Sequence, residues 1–144
     1  PSGGDDFVYR LDTATAAFGT VSAGTPNTSV TMSSVQTSLA NGYSVSIQAN
    51  QVLQNSGAQT ITSVGDGAVT LGSEEFGASV TGTHALGAGT DTAVTTSQRI
   101  IQSSSVPSGT IPDRVIMVYK LSITSATPSG TFGQSVYYTL TANY

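Results

Sequence analysis

Cysteine and tryptophan are absent from the 144 residues, and histidine and lysine occur once each. Charge is scarce too. Four Lys or Arg stand against eight Asp or Glu, 8% of the chain, where an average soluble domain carries about 25%. Each shortage excludes something. Without cysteine there is no disulfide scaffold, thiol enzyme or zinc ribbon. Four scattered cations cannot displace the counterions of a nucleic acid, so no such partner is expected. No apolar run approaches the ~20 residues of a membrane helix, so neither a membrane-spanning segment nor a retained secretory leader is expected.

Hydroxyls replace the missing charge: 21 Ser and 22 Thr, with 16 Gly besides. Six Tyr, four Phe and many β-branched residues argue for a packed fold rather than disorder. At this length a single domain is expected. Ser/Thr/Gly-rich, Lys-poor, weakly acidic composition suits display outside cells, so the expected location is extracellular, on a cell surface or secreted.

Helix formers are thin, and period-two alternation recurs between Gly, Pro and Asn. Phe7–Asp12 reads as a first strand, with Phe7, Tyr9 and Leu11 on one face and Arg10 and Asp12 on the other. Phe18–Val21 leads to a turn at Gly24–Asn27, and Ser29–Thr37 reads as a strand. Asn41-Gly42 turns into Tyr43–Ala49, where Tyr43, Val45, Ile47 and Ala49 share one face. Gln59–Val64 and Ala68–Leu71 flank Gly65-Asp66-Gly67, a hairpin signal. Glu75–Val80, Thr92–Gln102, Arg114–Thr124 and Thr131–Tyr144 complete the set. Arg114–Thr124 is the most apolar, and reads as central or covered on both faces. Such spacing predicts an all-β fold, an immunoglobulin-like Greek-key β-sandwich. Residues 1–17 read as an extended terminal segment with its linker, and 18–144 as the sandwich.

Chemistry-bearing residues are few. His84 lies in a loop without a G-x-S-x-G elbow, and Glu74 and Glu75 are neighbours that a strand would point apart. Asp5 and Asp6 lack a D-x-D-x-D-G context for calcium and read as solubilising charges. No enzyme, metal or cofactor is expected. Lys120 has two readings: a lysine snorkelling from a half-covered strand, which is favoured, or one joined covalently to an asparagine across the sheets. Asn27-Thr28-Ser29 is the one glycosylation sequon, with Asn27 as acceptor. The six tyrosines could offer a platform for stacking sugars, but most fall at alternating positions that face the core.

Phe18-Gly19-Thr20-Val21 with Leu39–Ile47, and the closing Pro128–Thr141, resemble degenerate patterns of secreted surface proteins. WxL-type domains, camelysin/TasA-type fibre proteins and spore-coat-U-like pilins share them. The WxL tryptophan and the cysteine pair of many pilins are missing. The resemblance implies an extracellular sandwich that assembles with copies of itself into a helical homopolymer. In that reading an incomplete sandwich is filled by a strand from the next subunit, and donor and acceptor surfaces differ, so the contact propagates. Phe7, Val8, Tyr9 and Leu11 would form the donor strand. Val136, Tyr138 and Leu140 would line the acceptor edge. The competing reading keeps residues 7–12 as the molecule's own first strand, in a monomeric adhesin or carbohydrate-binding module that contacts glycans.

Overall fold

A computed structural model describes residues 7–144. Seven strands form in chain order: β1 (Phe7–Leu11), β2 (Asn27–Thr37), β3 (Tyr43–Ala49), β4 (Glu75–Gly82), β5 (Arg99–Ser104), β6 (Asp113–Ser122) and β7 (Val136–Ala142). The fold is all-β. One sheet has the order β1-β2-β6-β4 and the other β5-β3-β7, with every strand pair antiparallel. Among the described residues no helix is long and apolar enough to cross a membrane.

The alternation in the sequence decides which faces meet. Val35 on β2, Tyr43, Val45 and Ile47 on β3, Ala78 and Val80 on β4, and Val115, Met117 and Tyr119 on β6 all point between the sheets and are buried. Leu53 and Ile61, from the long connection 50–74, close the same core. Burying such side chains contributes about 1.5–3 kcal/mol each before ordering costs. On β5 an extra residue opposite Val45/Ser46 breaks the register, and the bulge turns both Ile101 and Gln102 inward. The Gln102 Nε2 donates there to the Thr83 carbonyl at 2.9 Å.

Several expectations need correction. A seven-strand immunoglobulin domain places its fifth strand between the second and fourth. Here the sixth strand holds that place, and the fifth is an edge of the other sheet. The most apolar strand, β6, takes the interior position because it can bury a row on each neighbour. Its outer face is only partly covered, for Ile116 remains exposed.

The hairpin expected across Gly65-Asp66-Gly67 does not form. Thr62 and Val64 instead exchange backbone hydrogen bonds with Phe76 on the free edge of β4, a parallel contact at a single bridge. Val64 gains burial over Gly77 that a solvated hairpin could not offer. The strand expected from Thr92 begins only at Arg99. Thr92 pairs singly with Ala78, while Phe18 and Val21 pack on the core from an irregular segment.

Residues 7–11, expected ahead of the sandwich, are part of it. Phe7 pairs with Thr37 and Leu11 with Ser33 along the edge of β2. The expectations for Gly3-Gly4, Asp5 and Asp6 lie outside the described residues.

Candidate functional site

The sandwich has two flanks, and they differ. On the β4/β5 flank short loop pieces cover both free edges. Thr62, Val64 and Thr92 bond to β4, while the His84 and Leu86 backbones bond to Ser103 and Ile101 of β5. On the other flank, β1 ends one sheet and β7 ends the other. Among the described residues nothing pairs with the outer edge of either strand. Open edges are templates for another chain.

Both sets of residues singled out in the sequence meet on that open flank. Tyr9 of β1 faces Tyr138 of β7, ring centroids 6.3 Å apart. Tyr138 in turn shares a 2.7 Å hydroxyl contact with Tyr119 and a 3.3 Å one with Thr31. Val136, Tyr138 and Leu140 are half-buried and lie against the core, as their alternation required. Burial pushes the Tyr9 phenol up to about 12, against the pull of the Ser33 hydroxyl. Burial likewise raises Tyr119, with Tyr138 adding to it.

The donor set is less deeply seated than its alternation suggested. Phe7, Val8 and Leu11 stay exposed at 36–39%, and only Tyr9 is half-buried. A fully seated set of three plugs could contribute about 5–8 kcal/mol, but these contacts supply a fraction of it. The missing depth has a physical cause: β1 is an outermost strand, and the facing sheet has only three strands. Sequence reading also missed the second wall of the seat. That wall is β2, whose inward Thr31, Ser33, Val35 and Thr37 are buried behind β1. Nothing local in β2 marks it as the neighbour of the terminal strand.

Comparison of the chain with protein-family models, with curated proteins and with solved structures finds no match.

The remaining candidates have ordinary structural partners. His84 sits at φ +58° with its Nε2 3.8 Å from Asp113, which also accepts a 2.7 Å bond from the buried Tyr43 hydroxyl. Burial and that bond to Asp113 raise the Tyr43 phenol. Glu74 accepts from Thr127 and Thr62, and the Thr127 bond chiefly holds its carboxyl below the usual range. Glu75 accepts from the Thr70 backbone. No group of three metal-ligating side chains lies together among the described residues. The Asn27 amide, at the start of β2, donates to the Thr25 carbonyl at 2.8 Å. Two tyrosines are exposed: Tyr137, and Tyr144, which lies beyond β7 instead of continuing its inward row.

Lys120 reaches from β6 to the buried Asp91, Nζ to Oδ1 2.8 Å. Its path crosses β4 at Gly77, directly opposite in register. The other oxygen of Asp91 accepts from the Val69 backbone at 2.8 Å, so this carboxylate ties two loops to the sheet. Lys120→Met leaves Asp91 buried without its cation, and is expected to destabilise by about 2 kcal/mol in urea titration. Adding Asp91→Asn should recover part of that loss. Equal losses in the single and double variants would contradict it.

Proposed function

We propose that this chain is a structural subunit of an extracellular filament whose copies join by exchanging β1. The observation that carries the reading is the seat itself. A five-residue strand, held by one half-buried side chain, lies on the flank where both sheets lack cover. A neighbour's β1 can occupy the same place beside β2 and against β7, keeping the contacts a single chain already makes. Residues 12–17 form no helix or strand before Phe18 packs on the core, and span about 20 Å when extended, enough to reach an adjacent copy. Where each copy gives its strand to one neighbour and receives one from another, the contact is heterologous and can propagate into a filament. Composition supports the extracellular setting, since hydroxyls occupy the wet faces in place of charge.

Negative-stain microscopy of the full chain should reveal uniform filaments. A chain lacking residues 1–12 should form none, and should capture an added peptide of that sequence. Monomers at every attainable concentration, or unchanged filaments from the truncated chain, would remove this reading.

One feature favours a second reading, the monomeric adhesin or carbohydrate-binding module. Asn50, Gln51, Gln54, Asn55 and Gln134 surround a groove of about 550 Å³ beside Phe132, with no charged residue in its lining. Neutral amides with an aromatic suit an uncharged polyol. Oligosaccharide binding by a monomer, abolished by Phe132→Ala, would decide for that reading.

A further inference from the structure

The scarce charges are unevenly placed, and the outer face of the three-stranded sheet has none. No charged side chain occurs between Asp12 and Asp66 or after Lys120. The fold joins these two stretches, since β3 pairs with β7 over all seven residues of each. On β5 the one cation, Arg99, stands in register with the inward-facing Ile47 and is half-buried, so it turns away from the outer face. That face carries hydroxyls and amides around two large side chains, Ile100 and Tyr137, exposed at 52% and 59%. The four-stranded sheet differs, with Arg10, Arg114 and Lys120 on its outer side.

The groove beside Phe132 continues the uncharged face. Gln48 and Tyr137 are paired in register. Asn50, two positions after Gln48, and Ser135, two before Tyr137, both line the groove. The Asn50 backbone donates to the Ser135 carbonyl at 2.9 Å, and the Ser135 backbone donates to the Asn50 side chain at 2.8 Å. The groove's amides also brace one another. Gln51 donates to the Gly133 carbonyl and accepts from Gln54, while Asn55 accepts from the Gly57 and Gln59 backbones. A wall ordered in this way loses little freedom when a ligand arrives. Asn50 Nδ2 and Gln54 Oε1 have no partner among the described residues, leaving one donor and one acceptor to fix a ligand's orientation.

We propose that the groove and the Tyr137 ring together bind a linear, uncharged oligosaccharide several sugars long. This rests on the polyol reading of the groove and extends it along β7. Residues 132 to 137 cover about 17 Å at strand spacing, room for more than a monosaccharide. Sugar hydroxyls meet Asn50 and Gln54, and the apolar face of a further sugar lies on the Tyr137 ring. A uronic acid is disfavoured, because its carboxylate would be desolvated where no cation can pair with it. Tyr137 points away from Tyr9 and the β1 seat, so in a filament every copy would present the site.

Calorimetric titration of the full chain tests this with hexasaccharides of glucose, mannose, N-acetylglucosamine and galacturonic acid. At least one neutral hexasaccharide should bind, with an affinity indifferent to salt. The matching disaccharide should bind about tenfold more weakly, and Tyr137→Ala should weaken the hexasaccharide about tenfold. Tyr137→Phe should keep the affinity, and neither substitution should move the melting temperature, since the side chain is exposed. No binding of any neutral hexasaccharide, or tighter binding of the galacturonate, would overturn the proposal. Binding lost with Phe132→Ala but unchanged in Tyr137→Ala would overturn the extension along β7 and leave the groove reading in place. Neither result bears on strand exchange, which uses the other face of β7.

Discussion

Gly42→Ala is expected to unfold the protein or to cost about 3–5 kcal/mol in chemical denaturation. Gly42 immediately precedes β3 at φ +74°, in the left-handed region that side chains disfavour. A Cβ there would overlap the carbonyl oxygen of Ser104 at the end of β5. That oxygen already accepts from the Asn143 amide at 3.1 Å, and the Asn143 backbone donates to Gly42 at 3.1 Å. Three strand ends of one sheet therefore converge on a position with no room for a methyl group. Gly24 supplies the control. It has nearly the same φ, +75°, but open space where its Cβ would stand. Gly24→Ala should cost only about 1 kcal/mol, the conformational part alone. Similar losses at the two sites would show that overlap with Ser104 is not the cause.

Raising the pH should unfold the chain in one steep transition above pH 10. Tyr9, Tyr43 and Tyr119 are all held above the ordinary phenol value of 10, each chiefly by burial. The folded chain thus keeps these three protons to higher pH than the unfolded chain does. Their contribution to stability is complete below pH 10 and drains away as pH climbs towards about 12, where Tyr9 itself titrates in the folded state. Each pH unit in that window removes up to about 1.4 kcal/mol per phenol, less for the half-buried Tyr9. With three phenols acting together the loss reaches several kcal/mol, comparable to the whole stability of a domain this size. Circular dichroism and tyrosinate absorbance should change together. Phenols that ionise while the sheets stay intact would refute the coupling.

Much of the fold was legible because alternation is a local signal. Tyr43–Ala49 reads as a strand with the same bounds in sequence and structure, and the inward rows of β6 and β7 follow from every second residue. What the pattern could not supply is competition between partners. Ile61 and Val64 precede a sound turn sequence, yet both are buried by joining the core and the edge of β4 rather than by pairing with residues 68–71. The exchange of β5 and β6 relative to the immunoglobulin order is equally non-local. On the open flank, Tyr9 and Tyr138 were each visible as apolar positions, but not their contact. Nor did any motif announce Asp91, whose role depends on a lysine 29 positions away.

The alternation of sheets along the chain has a consequence for how quickly a free β1 finds its place. After β1 and β2, every successive strand lies in the opposite sheet, so nearly all strand pairings join distant parts of the sequence. Folds dominated by distant pairings form slowly, because loops must close before contacts reward them. The β1–β2 pairing is the exception, joining consecutive strands across residues 12–26. It cannot be consolidated until the β7 wall that receives Tyr9 is in place. Until then the edge of β2 is open to any β1 nearby. If copies exchange β1 as proposed, closing on itself and joining a neighbour compete, one rate fixed by the tether and the other rising with concentration.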